Sequence, residues 1–318
     1  MAAIPLSVPA QQRETGAPRR LAVFTSFPKG GALSADRSNK LRQGLAVLGW
    51  DVGRNILIEH YGGGASDDAR TVAEEMVAAH PDLILAASTP ALAAAARVSG
   101  TIPIVFAAVS DPVGQGFVKS FARPGGTITG FTNFEPEMGG KWVDLLKEVA
   151  PDVTRAAVIY NPTTAPNMNS FDRSMHTAAA ARGITLVDTP VHEDNELEGS
   201  LKAAGNQPAS GLVFPTDPFT NFREKRITEQ VERYRLPAVY PFSTFVHVGG
   251  LISYGTDIAD LYRQSAAYID RILRGARPAD LPVQLPTKFE LAINLQTARS
   301  IGLTVSSVLL ARADDIVE

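Results

Sequence analysis

The chain of 318 residues contains no cysteine. Zinc–thiolate sites, disulfides and thiol nucleophiles are therefore excluded, and an oxidising compartment suits such a chain. No apolar run approaches the ~20 residues that a membrane-spanning helix requires. There is no GxSxG elbow, Walker loop, HExxH pair or doubled CxxC. Gly62-Gly63-Gly64 lacks the spacing of a dinucleotide loop, and the histidines (His60, His80, His176, His192 and His247) are scattered, none at metal-ligand spacing. Concentrated positive charge is also lacking. The net charge is −3 and no basic block exceeds Arg19-Arg20, so nucleic acid is not an expected partner. These absences favour a binding protein over an enzyme, with no cofactor and no metal.

What is present is a repeated alternation of short apolar runs and amphipathic segments. Residues 21–25, 55–61, 82–87 and 102–109 read as strands, separated by helical segments, of which the first stops at Gly49, the second runs to about His80 and the third opens at Ser88-Thr89-Pro90. The pattern restarts after Thr132. Helical residues 136–149, with Trp142, Leu145, Leu146 and Val149 on one side, precede strands at 155–160, 184–191, 211–215 and 238–240. Alternation at this spacing predicts doubly wound parallel sheets, and the length predicts two of them. Strand 250–254, helix 257–273, a proline-rich linker at 275–286 and a strand at 289–295 follow without completing a third unit. That arrangement implies more than one passage of the chain between lobes, and hence a hinge.

Residues 102–133 hold the first such passage. An apolar strand ends at Ser110-Asp111-Pro112, Arg123-Pro124-Gly125-Gly126 makes a turn, and a second short β run occupies 127–132. Ligands of open α/β sheets sit outside the carboxyl ends of the strands. The polar residues at those ends are Ser26, Ser88, Thr89, Ser110, Asp111, Asn133, Asn161, Thr216 and Asp217, with Tyr240 and Tyr254 ending two later strands. Backbone N–H groups at Thr89 and Ala91 are placed to receive a carboxylate, and Asp111 or Asp217 to neutralise an ammonium. Phe27, Phe131, Phe134, Tyr240 and Phe242 offer flat apolar walls. The competing reading is structural. Asp-Pro and Asn-Pro corners serve as turns and helix caps, Ser88 as an N-cap, and Phe131 and Tyr240 as core. The joint placement points to a cleft for a small zwitterion.

The run PIVFAAVSDPVGQGFVKSFARPGGTITGFTNF closely resembles the ABC-transporter substrate-binding protein family, which includes tryptophan/tyrosine-type solute-binding proteins. The resemblance extends to GLAVLGWDVGRNILIEH, to LAASTPALAAA, to residues 236–303 and to the closing LLARADDIVE. It implies a type I periplasmic-binding-protein fold, α/β, with two Rossmann-like lobes, parallel sheets and a three-crossover hinge. By that analogy one lobe takes residues 18–126 plus 253–282 and the other 127–252 plus 283–318, with 1–17 a disordered tail or signal remnant. The ligand contacts it implies are Ser26, Ser88, Thr89, Ala91, Asp111, Asn133, Asn161, Asp217 and Tyr254. It further implies an extracytoplasmic, non-catalytic monomer that binds a small amino-acid-like ligand, aromatic or branched, and serves ABC permease membrane subunits. The alternative on the same fold is a ligand-sensing receptor or regulator domain. Val8-Pro9-Ala10 reads like the small-residue end of a secretory cleavage site. No charged and apolar segments stand ahead of it, so the expectation is periplasmic export with a signal sequence absent or truncated in this chain.

Overall fold

The computed structural model describes residues 17–25, 32–62, 69–133 and 135–318, the side chains of 32–34 excepted. Two sheets organise them. The first contains β1 (Arg19–Thr25), β2 (Ile56–Gly62), β3 (Leu83–Ala87), β4 (Ile104–Val109) and β5 (Ile128–Thr132), in the spatial order β2-β1-β3-β4-β5 and wholly parallel. Helices α1 (Ala32–Val47), α2 (Ala69–Ala78) and α3 (Thr89–Val98) connect its strands. Every residue of β3, LILAA, is buried, as expected of a central strand covered on both faces.

The second sheet has β6 (Arg155–Tyr160), β7 (Thr185–Pro190), β8 (Ser210–Val213), β9 (Ala238–Tyr240), β10 (Ile252–Thr256), β11 (Phe289–Asn294) and β12 (Asp315–Val317). The order is β12-β11-β10-β9-β8-β6-β7, and only the β10–β11 pairing is antiparallel. Its first five strands repeat the order of the first sheet, second-first-third-fourth-fifth. The connecting helices are α4 (Met138–Val149), α5 (Asn169–Arg182), α6 (Asp194–Gly205), α7 (Pro218–Asn221), α8 (Glu224–Arg233) and α9 (Ser243–His247). Helix α10 (Ile258–Leu273) belongs to the first lobe, where Leu261, Tyr262, Ala266 and Ile269 join the core of β1, β3 and β4. Short helices α11 (Leu295–Ser300) and α12 (Ser307–Leu310) close the second lobe.

The expectation of doubly wound parallel sheets in two lobes is met. The boundaries lie elsewhere than expected. The turn at 124–126 does not leave the first lobe; it returns the chain so that β5 pairs with β4, and the chain crosses only at Asn133. Gly130 permits that pairing, because a Cβ there would lie 2.1 Å from the Phe106 carbonyl oxygen. Likewise β10 stays in the second sheet, so the next crossing falls at Asp257. The linker remains with the first lobe through Val283 and Gln284, whose N–H groups donate to Phe121 and Gly130 carbonyls, and crosses after Gln284. Two of these crossings are tied together. Lys288 Nζ donates to Asp257 Oδ2 at 2.7 Å, and the Asp257 N–H donates to the Lys288 carbonyl at 3.2 Å.

Trp142 anchors α4 to the second sheet. It is fully buried, its ring packs 5.2 Å from Phe171, and its Nε1–H donates to the Tyr254 carbonyl at 2.7 Å. No helix among the described residues is long and apolar enough to cross a membrane.

Candidate functional site

In both lobes the first three strands place the reversal of strand order beside the first strand, and the carboxyl ends of β3, β4, β6, β8 and β9 converge on one cavity of about 210 Å3. Ala87, Ser88, Thr89, Ala108 and Ser110 line it from the first lobe, with Arg37 of α1 and Ile258 and Tyr262 of α10. Thr164, Asn167, Thr216, Asn221, Phe222, Glu224, Phe242 and Thr244 face them from the second, and Asn133 lies at the crossing between.

The first-lobe wall is built largely of backbone held in place by small polar side chains. Ser88, at φ 121°, caps α3 by accepting from the Ala91 N–H at 3.3 Å, and its own N–H donates to the Ala107 carbonyl. Thr89 Oγ1 accepts from the Ser110 N–H at 3.1 Å, and Ser110 Oγ donates to Asn133 Oδ1 at 3.1 Å. This chain of contacts fixes the ends of β3 and β4 to the crossing. Ala108 forms a bulge in β4 at φ 55°, where the register with β5 shifts by one residue.

The second-lobe wall hangs on Asp217. Its side chain is fully buried, with Oδ1 accepting from the Phe219 N–H at 2.9 Å and from Thr164 Oγ1, and Oδ2 from the Asn161 N–H at 2.9 Å. Burial pushes its pKa up, against the pull of those hydrogen bonds. Asp217 therefore ties the corner after β6 to the corner after β8 and does not line the cavity.

Among the described residues two charged side chains line it, one from each lobe. Burial raises the pKa of Glu224, while the Thr244 hydroxyl, which donates at 2.7 Å, and the charges of Arg37 and His247 pull it down. Arg37 lies on α1 of the opposite lobe. The phenol of Tyr262, buried beside it, is held above its ordinary pKa by desolvation. The cavity thus offers a cation on one wall, a carboxylate on the other and the rings of Phe222, Phe242 and Tyr262 between.

Of the expected contacts, Ser88, Thr89 and Asn133 line the cavity. Ala91 is not among the lining residues, and its N–H is donated to the Ser88 hydroxyl of the cap at 3.3 Å. Asn161 also serves the frame, with Nδ2 donating to the His192 carbonyl and Oδ1 accepting from the Thr163 N–H. Asp111, at φ 44°, turns its carboxylate onto the Gly114 N–H at 2.9 Å, outside the cavity lining. Tyr240 is fully buried in the second lobe, stacked between Phe214 and Phe245 at 5.2 and 4.7 Å. Tyr254 stacks on Phe289 at 5.8 Å, likewise away from the cavity. Ser26 and Phe27 lie outside the described residues. Sequence reasoning missed Arg37, Asn167, Asn221, Glu224 and Tyr262. Arg37, Glu224 and Tyr262 sit within helices, Asn221 ends one and Asn167 precedes one; the run NFREKR, which holds Asn221 and Glu224, reads as a solvated face.

Paired lobes joined by three crossings around one interlobe cavity define a two-lobed ligand-binding protein. The chain belongs to the ABC transporter substrate-binding protein family, whose model matches residues 26–317. It is similar to the tyrosine-binding protein of Clostridioides difficile strain R20291, at 27% identity over 274 residues, covering 85% of this chain and 78% of that one. A conserved domain protein of Vibrio cholerae O1 biovar El Tor superposes with a TM-score of 0.84 at 29% identity, over 94% of this chain and all of that one. An ABC domain from Streptococcus pneumoniae, solved in complex with L-Trp, gives 0.85 at 23% identity, over 95% of this chain and all of that one.

Proposed function

We propose that this protein binds a free amino acid with a flat aromatic side chain between its lobes and delivers it, outside the cytoplasm, to the membrane subunits of an ABC importer. The observation that carries this reading is the pairing of Arg37 and Glu224 on opposite walls of one cavity. A zwitterion places its carboxylate against the guanidinium and its ammonium against the carboxylate, so each half-buried charge of the protein meets an opposite charge of the ligand. Phe222, Phe242 and Tyr262 supply apolar surface for a ring. Family membership, and the tyrosine and tryptophan in the names of two relatives, support the same class of ligand.

Because the ligand bridges both walls only when they approach, its binding energy shifts the open–closed equilibrium toward the closed form. Three crossings, two of them linked by Asp257 and Lys288, are a hinge suited to that motion. No step of this cycle makes or breaks a covalent bond, so the protein acts as a monomeric carrier without catalysis.

The test is calorimetry of the purified chain against tyrosine, tryptophan, phenylalanine, leucine, glutamate and a panel of monosaccharides, with small-angle scattering to follow closure. Binding of an aromatic amino acid with a fall in radius of gyration is the expected result. Binding of a sugar with no response to any amino acid would overturn it.

A further inference from the structure

Tyr240, Tyr262 and Tyr268 are the buried tyrosines among the described residues, at 0%, 4% and 7% exposure, and their hydroxyls have different surroundings. Tyr268 donates to the Pro282 carbonyl at 2.6 Å and accepts from Gln284 Nε2 at 2.8 Å. Tyr240 Oη is sealed in the second-lobe core without a partner. Tyr262 Oη also makes no hydrogen bond to a described residue, yet it is not among the sealed atoms, and its residue lines the interlobe cavity. A phenol so deeply desolvated calls for a partner, and the cavity it borders is where one can enter.

The position of that phenol is set before any ligand arrives. Tyr262 lies one turn after Ile258 on α10, whose start is capped by Asp257 Oδ1, accepting from the Asp260 N–H at 2.9 Å. Its ring is held in the first-lobe core with Leu41, Leu261 and Ile269. Leu41 in turn follows Arg37 by one turn of α1. Helix α1 presses against α10 at Gly44, where a Cβ would lie 2.7 Å from the Arg263 carbonyl oxygen. Arg37 acts on the phenol as a nearby positive charge, opposing the rise in pKa that burial causes. These two lining groups therefore offer donors side by side, a guanidinium that cannot accept and a phenol whose O–H is unspent. Both belong to the first lobe, so closure does not change their spacing.

We propose that Tyr262 donates its hydroxyl to the ligand carboxylate beside Arg37, making the first lobe a carboxylate subsite that is complete before the lobes close. This rests on the reading of the cleft as an amino-acid site and deepens it by dividing the ligand between the lobes. The first lobe takes the carboxylate through a guanidinium and a phenol. The second takes the ammonium through Glu224, which the Thr244 hydroxyl holds at 2.7 Å. The ligand docks on the first lobe, and closure then brings Glu224 to the ammonium. A hydrogen bond from a neutral donor to a carboxylate is stronger than one between neutral groups, so the phenol acts on the charged end of the ligand.

The experiment is calorimetry of the full chain, with competition titrations for weak ligands, on wild type, Tyr262→Phe and Glu224→Gln. Two series serve as probes: tryptophan with indolepropionate and tryptamine, and tyrosine with phloretate and tyramine. In each series the acid lacks the ammonium and the amine lacks the carboxylate. Tyr262→Phe keeps the ring and is expected to weaken the amino acid and the acid alike, about tenfold, while the amine keeps its wild-type affinity. Glu224→Gln is expected to do the reverse, sparing the acid and weakening the amine. The unliganded Tyr262→Phe protein should melt no lower than wild type, because the hydroxyl makes no contact in the fold. Unchanged affinity of amino acids and acids in Tyr262→Phe overturns the proposal. So does an equal loss for the amine or a lowered melting temperature, either of which marks a structural role. Binding of the acids alone, weakened by Tyr262→Phe, keeps the subsite and strikes the amino-acid reading beneath it. Failure of every probe to bind overturns both.

Discussion

The chain contains two Asp-Pro corners, Asp111-Pro112 after β4, the fourth strand of the first sheet, and Asp217-Pro218 after β8, the third strand of the second. Asp111 is half-exposed, at φ 44°, and holds one turn through the Gly114 N–H. Asp217 is fully buried and accepts from two backbone N–H groups and a hydroxyl, spread over the corner after β6 and its own corner after β8. The same dipeptide thus closes a local turn in one lobe and pins a whole cavity wall in the other. The difference extends to the walls themselves. The first lobe presents strained backbone, with Ser88 and Ala108 at positive φ, one long cation and the Tyr262 phenol. The second presents amides, a carboxylate and phenyl rings.

The sharpest way to break this comparison is to remove both aspartates in turn. Asp217→Ala leaves the Asn161 and Phe219 N–H groups buried without acceptors and is expected to cost about 4 kcal/mol in denaturant unfolding. Asp111→Ala should cost less than about 1 kcal/mol. Equal losses would mean that burial does not distinguish the corners.

Next comes the charge on the second wall. Glu224→Gln should weaken amino-acid binding about 30-fold, roughly 2 kcal/mol. The pH dependence carries a definite sign. In the ligand-free protein burial holds Glu224 above the ordinary glutamate value of 4.5, and a ligand ammonium against it lowers that pKa. Affinity is therefore full above the raised ligand-free pKa and falls as the pH drops through it. The Gln variant lacks this loss. Parallel acid profiles of Kd for the two would mean that Glu224 does not carry the pH dependence.

A smaller effect is expected from the strained first wall. Ala108→Gly relieves a left-handed backbone and should raise stability by about 0.5–1 kcal/mol, net of glycine's greater unfolded-state freedom, with little change in Kd. A thermal melt compares the two.

The smallest lies at the hinge. Burial works against the Asp257 carboxylate, but the Lys288 ammonium and the N–H groups of Asp260 and Ala259 bring its pKa below the usual range. Its contribution is present above the ordinary aspartate pKa and lost as the pH falls through the lowered one. Lys288 is largely exposed, so Lys288→Ala should cost about 0.5 kcal/mol at neutral pH and nothing in strong acid.

The frame was far more legible in the sequence than the site. Strand runs such as LILAA and RAAVIY, and the apolar stripe of α4, report burial directly through their periodicity, and each forms where that periodicity places it. The crossings were harder to place, since the Pro-Gly-Gly turn looks the same whether the chain leaves a sheet or folds back to extend it. Short pieces without a periodic signal were missed: α7, α9, α12 and β12 span only three to five residues each. Within the site, polar residues at strand ends were found, yet Asp217, Asn161 and Ala91 spend their hydrogen bonds on the frame. Glu224 and Arg37 reach the cavity from helices, and a helix's sequence does not tell which of its polar faces meets a second lobe.

By itself the sequence determined that there are two parallel α/β units, where most of their strands and helices lie, and that the polar ends of those strands gather ligand-facing groups. Hydrophobic periodicity and turn chemistry are local, and local order is what they encode. Only the tertiary structure decided which polar groups face the cavity and which hold its walls. That choice depends on which partners come within hydrogen-bonding reach when two distant segments pack, as when Asp217 meets Asn161 across 56 residues of chain.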